Sequence, residues 1–200
     1  GLSTTGGVTV VAIDVSGGAN GIVADGDLDV SVTSTGVVTG ATGDGVNASS
    51  NSGGVTVAVV DVTGGINGVV ADGALNVSVT STGAIAGQAG AGVYANSGLG
   101  NVNVNVATVS GTTDGVIATG AGSVTVLTSG TVTGDTTYGV YASGATGPVT
   151  VTTNGAVLAG NTGILATSAG TVTVNANGNI TAGVAGINAS STAGASTVNV

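Results

Sequence analysis

The chain has 200 residues, 40 of them Gly, with no Lys, Arg, His, Cys, Met, Trp or Phe, and nine Asp give it a formal net charge of −9. Phosphate backbones need Lys and Arg, anionic membranes recruit basic patches, and zinc and copper take His or Cys, so none of these is an expected partner. A mean hydropathy of +0.60 with 42% hydrophobic residues is unlike a disordered chain, and no apolar run of about 18 residues is present to cross a membrane as a helix.

From the N-terminus, the first element is Val8-Thr9-Val10, where apolar and polar residues alternate as in a half-buried strand. Val15-Ser16-Gly17 follows as a second short strand, and Gly21-Ile22-Val23-Ala24 as a third. The trio then recurs along the whole chain. The first mark reappears as Leu28–Val30, Val55–Val57, Leu75–Val77, Val102–Val104, Val124–Val126, Val149–Val151, Val172–Val174 and Val198–Val200. The second reappears at Val38, Val62, Ile85, Val109, Val132, Val157 and Ile180. The third, Gly-[Val/Ile]-x-Ala, occurs eight times, starting at Gly21, Gly45, Gly68, Gly92, Gly115, Gly139, Gly163 and Gly186, always 23 or 24 residues apart. Self-similarity at a fixed period marks a stack of like units.

The units also pair. Gly7–Gly53 and Gly54–Gly100 align without gaps over 47 residues, and more diverged 47-residue blocks start at Asn101 and Pro148. Steps between first marks alternate between 20 and 27 residues in the first two blocks. Residues 1–200 thus read as one segment of a longer repeat protein. The predicted fold is all-β: a right-handed parallel β-helix of about eight coils of 23–24 residues, with three short strands per coil. Val8, Val10, Val15, Ile22, Ala24 and their equivalents should point inward as ladders of small apolar side chains. Gly at the corners is expected to supply positive φ, and Pro148 to stand at the start of a strand.

These repeats, with their Val-Thr-Val ladders and Asn/Thr/Ser/Gly-rich corners, resemble the passenger region of bacterial autotransporters and related filamentous-haemagglutinin-like adhesins. The resemblance covers essentially the whole chain. It implies secretion through the outer membrane, a location on the cell surface or outside the cell, and a role as stalk or adhesin. The alternative is a subunit of a self-assembling extracellular filament. Implied partners are another copy or the surface of a host or neighbouring cell. The lack of Cys suits a chain secreted unfolded.

Candidate sites are few. Asp25, Asp27 and Asp29 form the one carboxylate cluster and are the calcium candidate, since Ca²⁺ takes closely spaced oxygens. The competing reading is a solvated corner, because Leu28 breaks the polar spacing. No other cofactor is expected. A polysaccharide hydrolase would need paired carboxylates, with basic and aromatic neighbours that the sequence lacks, so an enzyme is not expected. Asp14 and Asp61 fall at one position two coils apart. The x of Gly-[Val/Ile]-x-Ala should face outward, and this row is unusually apolar, giving Val23, Val70, Tyr94, Ile117, Tyr141 and Leu165 as a candidate interaction face. The outward row of the first strand, read as Thr9, Asp29, Thr56, Asn76, Asn103, Thr125, Thr150, Thr173 and Asn199, suggests an ice-binding Thr ladder that Asp and Asn interrupt.

Overall fold

The computed structural model describes residues 5–200. The first coil consists of β1 (Val8–Ala12), β2 (Val15–Gly17) and β3 (Ile22–Gly26). Each pairs in parallel with its counterpart one coil on: Val8 with Val30, Val15 with Val38, and Ile22 with Val46. The pattern continues through three parallel sheets of nine, eight and eight strands among the described residues. The fold is a β-solenoid of about eight coils with three strands per coil. No helix among the described residues is long and apolar enough to cross a membrane, which says nothing of strands.

Alternation along each strand builds the core. In the strand Val93–Ser97, Val93 and Ala95 are fully buried while Tyr94 and Asn96 lie on the outer face. Parallel pairing then stacks like on like. One interior ladder runs Val30, Val55, Val77, Val102, Val124, Val149, Val172, each at most 1% exposed. Coverage depends on a neighbour at both sides. Val174 is fully buried, whereas its partner Val198 in the last strand is 45% exposed. This is the nearest-neighbour stability expected of a solenoid.

Three sequence expectations need correction. First, the strands at Leu28 and Leu75 begin two residues later. Val30 and Val77 take the slots of Val8 and Val55, while Leu28 and Leu75 lie exposed in the preceding corner. Leu28-Asp29-Val30-Ser31-Val32 alternates in either register, and the corner decides between them. Asp29 Oδ1 accepts the Gly54 N–H at 2.8 Å, and Asn76 Oδ1 accepts the Asn101 N–H at 2.9 Å. At these two positions the amide one coil on is held by a side chain, and ladder pairing begins at the next residues, Val30 and Val77. The steps become 22 (Val8 to Val30) and 25 (Val30 to Val55) in place of 20 and 27. Second, the last mark shifts two residues the other way, since Val172 pairs with Ser196 and Val174 with Val198. Third, no Gly among the described residues has positive φ. The motif glycines other than Gly186 are required by space instead: a Cβ on Gly115 would stand 2.5 Å from the Gly139 carbonyl oxygen and 2.5 Å from Val132 Cγ1.

Pro148 precedes the strand Val149–Thr153, as expected. Its carbonyl accepts the Val124 N–H at 3.0 Å, so its coil loses no bond on that side.

Candidate interaction surface and the carboxylates

The third sheet presents two outward rows. The first holds the x residues in unbroken register: Val23 beside Asn47, then Val70, Tyr94, Ile117, Tyr141, Leu165 and Asn188. The proposed face is therefore one ladder, with Asn47 between Val23 and the other five. From Val70 to Leu165 these side chains are half-buried by their own neighbours, and Val23 is more open at 41% exposed. The Tyr141 ring stacks on Tyr138, with centroids 5.4 Å apart. Beside this row runs a polar one: Asp25, Ser49, Asp72, Asn96, Thr119, Ser143, Thr167 and Ser190. Its members hydrogen-bond along the axis: Ser49 Oγ donates to Asp25 at 2.8 Å, Asn96 Nδ2 to Asp72 at 2.8 Å, and Thr119 Oγ1 to Asn96 at 2.7 Å.

The carboxylates act mainly as staples between coils. Asp14 accepts the Val37 N–H, Asp61 the Ala84 N–H and Asp29 the Gly54 N–H, each at 2.8 Å. Asp14 and Asp61 lie in one row, with Val37 between them. A further set stands immediately before the motif Gly. Asn20 accepts the Asp44 N–H at 2.7 Å, Asp44 the Asn67 N–H at 3.1 Å, Asn67 the Ala91 N–H at 2.9 Å, and Asp114 the Tyr138 N–H at 3.0 Å. In every case the acceptor grips the backbone one coil further on. Sequence reasoning missed this set, although its signal was visible as Asn or Asp immediately ahead of four of the eight motif glycines.

Asp25 and Asp29 each direct an oxygen to the next coil, at Ser49 and Gly54. Among the described residues no group of three or more His, Cys, Asp or Glu is placed to hold a metal ion. A trough of about 520 Å³ lies where the first sheet turns toward the second, lined by Thr33, Ala58, Thr80, Asn105 and Ser129 among others, with no carboxylate and no aromatic ring in its wall.

The register correction also changes the outward row of the first sheet. It reads Thr9, Ser31, Thr56, Ser78, Asn103, Thr125, Thr150, Thr173 and Thr197, hydroxyls throughout except Asn103.

Comparison with known proteins gave no match to a family model, a curated protein or a solved structure.

Proposed function

We propose that this chain is a rigid spacer in an extracellular bacterial surface protein of the autotransporter-passenger type, where it extends a stalk and carries an adhesive or self-associating face. The observation behind the reading is the uniform register of the three sheets, in which each coil repeats the hydrogen bonds of the last. At a rise of about 4.8 Å per coil, eight coils give a rod of roughly 38 Å. Backbone stapled at many corners by Asp and Asn side chains suits a load-bearing element. A chain without Cys also crosses a secretion channel unfolded without disulfide traps. Polymerisation of the same rod into an extracellular filament is the alternative use of the fold.

Antibody against this chain tests the location on cells of the source organism. Labelling of intact cells supports the proposal. Labelling that appears only after permeabilisation contradicts it.

The hydroxyl row of the first sheet favours a second reading, recognition of an ordered water lattice such as ice. The neighbouring row, Val11, Thr33, Ala58, Thr80, Asn105, Leu127, Thr152, Asn175 and Asn199, is mixed and leaves the array one row wide. The spacer reading therefore stands first. Arrest of ice growth by micromolar protein would reverse that order, and unhindered growth would remove the second reading.

A further inference from the structure

The x ladder is close to a palindrome. Its central seven rungs read Asn47, Val70, Tyr94, Ile117, Tyr141, Leu165, Asn188. On each side of Ile117 comes a tyrosine, then an aliphatic residue, then an asparagine. The rungs are evenly spaced at about 4.8 Å. A row that reads alike in both directions is self-complementary under a two-fold axis, the condition for an isologous dimer. We propose that this face binds a second copy of the chain, antiparallel, about a two-fold axis passing beside Ile117.

The axis runs along the strands, so each residue keeps its position along the strand while the order of coils is reversed. Ile117 meets itself. Tyr94 meets Tyr141 of the second copy, and Val70 meets Leu165. The Tyr138 ring beside Tyr141 comes to lie over Ala91, the small residue at the corresponding position three before Tyr94. In the polar row Thr119 meets itself, Asn96 meets Ser143, and Asp72 meets Thr167, a carboxylate facing a hydroxyl.

Charge selects the antiparallel sense. Seven of the nine Asp precede residue 73, and the remaining two are Asp114 and Asp135. No Lys, Arg or His is available to offset them. A parallel pair, with its axis along the direction of coil stacking, would bring both acidic halves together. Like charges placed opposite each other are destabilising. The antiparallel pair separates the acidic halves to opposite ends and opposes no two carboxylates in the two outward rows; Asp114, which comes to the axis in the row of Ala91 and Tyr138, is 9% exposed and accepts the Tyr138 N–H of its own chain. Seven rungs span roughly 29 Å, a footprint below the roughly 800 Å² per partner of a standard interface, so the dimer is a weak one that gains strength when many copies are displayed together. This inference rests on the fold and the register, and stands whether or not the spacer is extracellular.

The test uses the 200-residue chain by sedimentation velocity from about 10 µM to about 1 mM, the range where small interfaces associate. A monomer–dimer equilibrium is expected. Ile117→Asp should weaken it at least about tenfold, since two carboxylates would meet on the axis, while Thr150→Asp on the first sheet should leave it unchanged. Circular dichroism confirms that both variants keep their β-structure, and Tyr94→Ser replaces Ile117→Asp if that variant unfolds. The native chain has no Cys, so single cysteines with a short bis-maleimide linker report the orientation. Ile117→Cys should join to itself, and Tyr94→Cys should join to Tyr141→Cys but poorly to itself. A monomer throughout the range, an Ile117→Asp variant that dimerises like the native chain, main products larger than dimers, or ready self-joining of Tyr94→Cys would each overturn the proposal.

Discussion

Asp114 Oδ1 accepts the backbone N–H of Tyr138 at 3.0 Å, although the two are 24 residues apart in sequence. Asp114 is 9% exposed, in a chain that offers it no cation. What its position requires is an acceptor, and the same row uses the neutral Asn20 and Asn67 for the same purpose. Asp114→Asn should therefore leave stability within about 0.5 kcal/mol, whereas Asp114→Ala, which strands the amide of Tyr138, should cost about 1–2 kcal/mol. Chemical denaturation of the two variants beside the native chain measures the difference. Equal losses would mean that the charge, and not the acceptor, matters at this corner.

Glycine substitutions separate crowded from open corners. Gly115→Ala forces a Cβ against the Gly139 carbonyl and Val132, while a Cβ at Gly18 meets nothing within 4 Å. We expect Gly115→Ala to cost about 1–3 kcal/mol through overpacking. Gly18→Ala should be neutral or stabilising by up to about 1 kcal/mol, because it restricts the unfolded chain. Thermal midpoints of the pair check this, and a reversed order would contradict the coil spacing.

The register at the second coil is equally open to test. Leu28 is 51% exposed and Val30 is 1% exposed. Leu28→Ser should change stability by less than about 0.5 kcal/mol. Val30→Ser should cost about 2 kcal/mol or more, since it removes apolar contact and buries a hydroxyl. If Leu28→Ser proved the costlier, the strand would begin at Leu28.

Thr128 and Thr153 are neighbours in the first sheet, both fully buried, and neither hydroxyl has a hydrogen-bond partner. In the same inward row, Ser34 and Ser81 donate to the Ile13 and Val60 carbonyls, and Val106 occupies the rung next to Thr128. Thr128→Val and Thr153→Val keep the shape and remove an unpaired hydroxyl, so each should stabilise by about 1 kcal/mol. Loss of stability in both would show that these hydroxyls are satisfied in solution.

The number of coils, the three strands of each and the inward ladders were legible in the sequence because parallel stacking places like residues on like, which preserves the period. The outward row from Val23 to Leu165 was legible for the same reason. Register at Leu28 and Leu75 was not, because period-2 alternation continues through the corner and only the side-chain bonds of Asp29 and Asn76 choose between the two readings. The role of the motif glycines was misread because a local sequence reports backbone freedom but not the approach of the next coil. The staples at Asn20, Asp44, Asn67 and Asp114 form no local motif with the amides they hold, which lie 23 or 24 residues on. Closeness in sequence at Asp25, Asp27 and Asp29 does not gather three such groups around one point among the described residues.

The central claim is that the chain is a rod whose length is counted in coils. Deleting Gly54–Gly100 removes 47 residues and the six strands from Val55–Val59 to Val93–Ser97, and it joins Gly53 to Asn101 in the register that Gly100 had. Small-angle X-ray scattering at low concentration compares the two chains. The deletion variant should keep the same cross-section and form a rod shorter by about 9.6 Å, two coils of about 4.8 Å each. An unfolded deletion variant, or one of unchanged length and thinner section, would contradict it.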